Sequence, residues 1–448
     1  MTISVEQSTP PAGSATGRPG RVRRFLGFLL WVVATLAGLV AGLYLFVRTA
    51  QVSAFPVVFA AAAVAGCFLA VAALGWLAHR VAGSRRRFLR VSAVITAVLT
   101  VAAGSVLFWP LTRDSSHPRA AAGVRYWDLD TGSRLAYWSY PATSKPVSRT
   151  PIVFLHGGPG GPLRPFEYDF FPQFARDGYD VYLFEQSGVG VSRALPHAAD
   201  YTAARAVADL EAVRRRIGAE QLVLIGQSWG GSLAALYTAA HPQHVAKLVF
   251  TEPGALPGPP GVEATATGTA APDSAPGSGP SLLAPRFLMA AVLAQAAPAA
   301  AERFAPPAEV NHYLDEQIPG FIRQSFCARD AQRIPEVDIE GFAFYANTVT
   351  NDTIGELSDP RPALRQNQVP ALVLRGECSY IPWPDTYAYT QVLPRSSLVY
   401  IKGAGHVLWA SRPAETAAAI RAFLLDKPQP VAPYRGNTDP AAAAATHP

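Results

Sequence analysis

The chain has 448 residues, half of them hydrophobic and 16% charged, with a formal net charge of +6. Ten of its 38 basic residues but one of its 32 acids (Glu6) fall in the first 110 positions, leaving 28 basic against 31 acidic groups beyond them. A basic excess confined to one end excludes an extended nucleic-acid-binding surface, and the apolar content is high for a purely soluble protein.

Residues 1–24 read as a disordered cytoplasmic tail. Within 25–110, Phe25–Val47, Ala54–Ala78 and Val91–Trp109 carry no charged residue. Each is long enough to cross ~30 Å of hydrocarbon as a helix, so the region reads as a three-helix membrane anchor in contact with lipid. A cleaved signal peptide fits poorly, because the first run is too long and two more follow it. Arg18, Arg21, Arg23 and Arg24 precede the first run. Arg80, Arg85, Arg86, Arg87 and Arg90 lie between the second and third, and only Arg48 lies between the first two. The positive-inside rule then predicts a cytoplasmic N-terminus and an extracytoplasmic remainder on a multi-pass anchor in the cell membrane.

From residue 120 the rhythm changes. GVRYWDL and SRLAYWSYP predict an antiparallel pair. TPIVFLHG, YDVYLFE, QLVLIG, VAKLVF, PALVL and SSLVYI are short apolar runs suited to buried parallel strands, with helical patterns between them at Ala203–Ile217 and Ser232–Ala240. This alternation predicts an α/β fold with a doubly wound, mostly parallel sheet, whose functional loops lie beyond the carboxyl ends of the strands. Core segments are expected at 120–254 and 366–426. Between them, 255–365 reads as a flexible insertion (rich in Gly, Pro, Ala and Ser over Pro253–Pro285) followed by a helical cap. Residues 427–448 read as a disordered tail.

Three motifs carry chemistry. Gly226-Gln227-Ser228-Trp229-Gly230 follows the strand QLVLI and opens a helix, the setting of a strained serine nucleophile. His156–Gly161, HGGPGG, follows an earlier strand. Pro159 has no N–H, so an oxyanion donor must come from a neighbour, Gly157 or Gly158, alongside the amide of Trp229. Gly403–His406, GAGH, follows the last strand and supplies His406 as a base that can take the proton of Ser228. His156 itself reads as a structural loop residue. Cys327 and Cys378 could pair in an oxidising exterior, or remain apart, while Cys67 falls in an apolar span.

HGGPGG, GQSWGG and GAGH together resemble the α/β-hydrolase superfamily, and specifically its proline iminopeptidase-like (peptidase S33-type) branch, over about residues 123–426. Glu185–Ser192, EQSGVGVS, is similar to that branch's D-Q-R-G-x-G-x-S and departs from it at Glu185 and Ser187. The resemblance implies release of an N-terminal residue, often proline, from a small peptide, with no cofactor and no metal. It also implies a free amine held by cap acids, for which Glu309, Glu316, Asp330 and Glu336 are available. An ester or lipid-like acyl substrate, or a catalytically weak binding or sensing ectodomain, are the alternatives.

The branch carries an Asp in G-x-x-D after the seventh strand, and Gly376 aligns that Asp with Ser379. A serine cannot balance imidazolium charge. Glu252, at the end of the strand after the nucleophile helix, resembles the acid of certain haloalkane dehalogenases and is the expected replacement. Glu377 and Asp385, or no acid at all, are the other outcomes. A testable consequence of the charge pattern concerns topology. Protease added to intact cells should remove everything beyond about residue 110, whereas full protection would reverse the orientation.

Overall fold

A computed structural model describes residues 21–82, 88–112, 114, 117–144, 150–258, 284–317, 322–323, 325–328, 330 and 340–440. The expected tail at 1–20, Arg85–Arg87, most of the Gly/Pro-rich insertion (259–283), Glu336 and residues 441–448 lie outside that set. The chain divides into two compact units, Met1–Leu107 and Phe108–Pro448.

In the first unit, α1 (Arg21–Ala50), α2 (Pro56–Ala82) and α3 (Phe88–Leu107) are each long and apolar enough to cross a membrane. Helix α1 buries Gly27, Ala34, Gly38, Gly42, Phe46 and Ala50, a near four-residue spacing that lines one stripe. A side chain at Gly38 would run into Val71, and one at Gly66 into Leu45, so α1 and α2 meet almost backbone to backbone. Small residues allow such approach, and dispersion then holds helices whose outer faces are as apolar as lipid. Val22, Phe25, Phe28, Leu36 and Val40 are among those outward side chains.

The second unit is built on an eight-stranded sheet. In chain order its strands are β1 (Arg125–Asp128), β2 (Arg134–Tyr140), β3 (Ile152–Leu155), β4 (Val181–Phe184), β5 (Leu222–Gln227), β6 (Val245–Thr251), β7 (Ala371–Cys378) and β8 (Ser396–Gly405). Their spatial order is β1-β2-β4-β3-β5-β6-β7-β8, with β2 antiparallel to both neighbours and β3 to β8 parallel. Strands β3 and β5 are buried at every position because hydrophobic clusters cover both faces. On one face Phe154 packs on Phe171 and Trp409; on the other, Phe250 meets Tyr389. Between β3 and β5 lie α4 (Pro165–Phe170) and α5 (Ala203–Ile217). Helix α5 starts where Thr202 accepts the Arg205 amide and stops at left-handed Gly218. Helix α6 (Trp229–Ala240) leaves β5 directly.

The cap contributes α7 (Pro285–Ala296), α8 (Pro298–Phe304), α9 (Pro307–Asp315) and α10 (Phe344–Thr353). It is tied to the loops of the sheet: Ala343 N–H donates to Gly160 O at 2.9 Å, and Gly190 N–H to Gly341 O at 2.8 Å.

The expectation of a disordered tail from 427 is corrected over residues 427–440. Tyr434 bridges Leu398 on β8, Trp383 Nε1 donates to Asn437 O at 3.0 Å, and Asp439 pairs with Arg375 at 3.0 Å. Composition suggested an unstructured end, but the exposed edge of β8 and a buried arginine both offer this segment partners. Replacing Asp439 with Ala removes a carboxylate from a guanidinium that is 3% exposed. The chemical-denaturation midpoint of the second unit should fall, by an amount corresponding to about 3 kcal/mol.

Candidate active site

The sheet register sets up the site. Gln227 pairs with Thr251, Thr251 with Leu374, and Cys378 with Gly405. Ser228, Glu252 and His406 each follow the last residue of a strand, and so stand together at the carboxyl rim. Ser228 N–H donates to Thr251 O at 3.2 Å, and Glu252 N–H to Leu374 O at 3.0 Å, which locks the rim from β5 across to β7.

Ser228 has φ 53° and ψ −123°, a conformation rare for a residue with a side chain. The strand turns into α6 so sharply that a Cβ at Gly226 would collide with Gly230 O, and one at Gly230 with Leu155 O. The glycines of G-x-S-x-G are therefore steric requirements of the elbow, and the strain lifts the serine side chain clear of the sheet. Gly157 packs against it: a Cβ there would lie 3.0 Å from Ser228 Cβ. Gly158, at φ +119°, is the next residue of that loop.

Gln186 joins the elbow to the HGGPGG loop. Its Oε1 accepts Trp229 Nε1–H at 2.9 Å, its Nε2 reaches His156 O at 3.2 Å, and its backbone N–H donates to His156 Nε2 at 2.9 Å. His156 Nδ1 lies 2.9 Å from Gly157 O, and burial lowers its pKa to about 4. His156 is thus a neutral loop brace. Glu185 is buried; it accepts Val191 N–H at 2.8 Å and Leu163 N–H at 3.3 Å, and burial raises its pKa to about 7. Ser187 donates to Asp209 at 2.9 Å. The two departures from D-Q-R-G-x-G-x-S are therefore both occupied by residues that fasten loops.

His406 is 4% exposed, and its N–H donates to Ser325 O at 2.7 Å. The Tyr380 ring lies over the imidazole, centroids 4.2 Å apart. Nδ1 makes no hydrogen bond, an unusual state for a buried polar atom. Burial, with Arg164 and Arg375 adding to it, lowers the pKa of this histidine to about 3.

Glu252 is fully buried, at φ 48°. One carboxylate oxygen accepts Gly376 N–H and the other accepts the Ser379 hydroxyl. Arg375 approaches at 3.6 Å. Burial dominates and raises the carboxyl pKa to about 7, against the pull of Arg375 and of both hydrogen bonds. Glu252 makes no hydrogen bond to His406 Nδ1; its carboxylate instead meets Gly376 and Ser379, the latter one residue beyond Cys378, where the ladder to β8 ends. Of the other acids, Glu377 accepts Gly403 N–H at 2.7 Å, and Asp385 sits in the first turn of Trp383–Val392. Cys327 and Cys378 form a disulfide with Cα atoms 5.1 Å apart. Arg375 and Tyr380 escaped the sequence reading, the one available signal being a lone arginine inside the apolar run LVLRGE; Gln186 stood in the matched EQSGVGVS stretch without an assigned role.

The alpha/beta hydrolase fold family matches residues 150–410, more than half of the chain. The chain belongs to the α/β-hydrolase fold family. Within it, the chain is similar to proline iminopeptidases: 36% identical over 136 residues to that of Arabidopsis thaliana, and 39% identical over 109 residues to that of Lactobacillus delbrueckii subsp. bulgaricus. Those stretches cover 30% and 23% of this chain and 32% and 36% of the two proteins, so the chain spans about a third of the length of the curated relatives it matches. A thermophilic esterase from Thermogutta terrifontis is similar in structure, with TM-score 0.48 and 20% identity over 68% of this chain and 99% of that one.

The two buried groups bear on stability in opposite ways. The raised pKa of Glu252 gives a contribution present below about 4.5 and lost as pH rises through about 7. The lowered pKa of His406 gives one present above about 6.5 and lost as pH falls through about 3. Glu252→Gln should therefore flatten the fall in Tm of the full chain between about pH 5 and pH 8. An unchanged slope would assign that fall to other groups.

Proposed function

We propose that this α/β-hydrolase is a membrane-anchored, extracytoplasmic serine hydrolase, acting through an acyl-enzyme as a proline iminopeptidase-like aminopeptidase on small peptides. The observation that carries the reading is the positive φ of Ser228 at the junction of β5 and α6. Such strain is costly and fits a serine that must stand above the sheet.

In this reading His406 takes the Ser228 proton as Oγ attacks the substrate carbonyl. The amides of Trp229 and Gly158 receive the oxyanion, an arrangement whose donors are each worth about 10²–10³-fold. His406 returns the proton to the leaving group, and water clears the acyl-enzyme by the same steps. An imidazole lowered to about 3 is a poor base alone. In this reading an ionised Glu252 on the same rim favours imidazolium and restores basicity, so turnover should rise as Glu252 loses its proton near pH 7. The anchor would hold this site at the outer membrane surface, with the N-terminus cytoplasmic. The arginine distribution supports that side, and the Cys327–Cys378 disulfide suits an oxidising compartment.

The cap acids support a second substrate class. Glu309 pairs with Arg286 at 2.7 Å, Asp330 with Arg412 at 3.2 Å and Glu316 with His312 at 3.5 Å. Carboxylates so engaged are poorly placed to hold a substrate amine, which favours an ester or lipid-like acyl group. A fluorophosphonate probe on the full chain should label wild type but not Ser228→Ala, and Glu252→Gln should slow turnover by about 10⁴-fold. Labelling that survives Ser228→Ala would overturn the nucleophile assignment. Faster turnover of proline amides than of short-chain esters would favour the peptidase, and the reverse order the esterase.

A further inference from the structure

Three consecutive residues at the end of β7 each reach a different part of the site. Glu377 accepts Gly403 N–H at 2.7 Å, in the turn that leads to His406. Cys378 is bonded to Cys327, across a sequence separation of 51. Two residues before Cys327, Ser325 O accepts the His406 amide at 2.7 Å. Ser379 donates its hydroxyl to the Glu252 carboxylate. One tripeptide thus connects the turn before the histidine, the cap segment that holds the histidine backbone, and the candidate acid.

Ser379 lies beyond the last residue of β7. The ladder ends at the Cys378–Gly405 pair, so strand pairing does not fix its side chain. Tyr380, the next residue, is 44% exposed. The chain at this point is held by the covalent link one residue earlier and, two residues on, by Arg375, which donates to Ile381 O at 2.7 Å. The hydroxyl matters because Glu252 is fully buried: an O–H donated to its oxygen stabilises the ionised form that an acid partner of a histidine requires.

We propose that Ser379 is a positioning residue for turnover, holding Glu252 ionised and oriented, and that the Cys327–Cys378 disulfide latches Ser379 in place so that reducing it slows the enzyme. The proposal rests on the reading of Glu252 as the acid partner of His406. A dithiol reductant converts the bridge to the two thiols of Cys327 and Cys378, and is itself oxidised to its cyclic disulfide, with two electrons and two protons passing to the cysteines. Cys67 is the only other cysteine in the chain, so the reductant has a single disulfide to act on. Ser379 therefore keeps a function at the position where the family carries an aspartate: it holds a carboxylate supplied from β6.

The test uses the full chain in detergent micelles, with p-nitrophenyl butyrate turnover and fluorophosphonate labelling as readouts. Ser379→Ala should lower kcat about ten-fold at neutral pH with KM unchanged, and should move the midpoint of the acid limb up by about one pH unit, as loss of a donor to a carboxylate requires. Ser379→Thr, which keeps the hydroxyl, should restore both. Dithiothreitol should reproduce the Ser379→Ala kinetics in wild type and leave Glu252→Gln unchanged, and Ser379→Ala should cost nothing further in the Glu252→Gln background. An unmoved midpoint, additive losses with Glu252→Gln, or indifference to dithiothreitol would each overturn the proposal. Wild type that fails to label at Ser228 would overturn the hydrolase reading and this one with it. Labelling at Ser228 and loss in Glu252→Gln, with Ser379→Ala unaffected, would overturn this inference alone.

Discussion

The interaction on which the rim of the sheet depends is the burial of the Glu252 carboxylate. A carboxylate without solvent needs donors from the protein, and here Gly376 N–H and the Ser379 hydroxyl provide them, with the Arg375 guanidinium 3.6 Å away. Arg375 is itself buried, and it donates to Ile381 O at 2.7 Å, to Thr386 Oγ1 at 3.1 Å and to Asp439 at 3.0 Å. The carboxyl at the end of β6 thereby shares a buried guanidinium in β7 with the loop at Ile381 and with the return of the chain at Asp439. Arg375 also disfavours a proton on His406, so the arginine that stabilises the candidate acid weakens the candidate base.

A second layer of buried polar groups holds the opposite wall. Gln186 spans from the Trp229 indole to His156, Glu185 fastens Leu163 and Val191, and the cap is tied through Gly160 and Gly190. Glycine at 157 lets that loop pack against Ser228, glycine at 230 lets α6 pass close to the Leu155 backbone, and the polar braces keep both there. The wall is stiff for the same reason that it is polar: each group has fixed partners and little freedom to exchange them.

Much of the fold was legible because parallel strands buried on both faces must be apolar throughout, and runs such as PIVFL and QLVLIG have few other uses. Ser228 was legible because the elbow imposes glycine on both sides of it. Glu252 could be singled out only through the vacancy at Ser379, since nothing in LVFTEPG marks a buried carboxylate. The contact between the two joins positions 127 residues apart and leaves no local trace. Arg375 was missed, and the bracing role of Gln186 unread, because their partners come from distant parts of the chain. The tail was misread because composition reports how little apolar surface a segment can bury, and this segment is held by one backbone bridge, one indole and one ion pair.

The placement of Asp439 has a consequence for how the protein is made. A ribosome delivers the chain from the N-terminus, and segments fold as they emerge. The Ser228 elbow and strands β1 to β6 all lie far ahead of residue 439 in the chain. Arg375 lacks its second carboxylate until that residue is added, and Glu252 shares a guanidinium whose other side is still unmatched. Completion of the charge network therefore waits on a segment made long after the strands it joins, and the site acquires its final electrostatics only once residue 439 has been delivered.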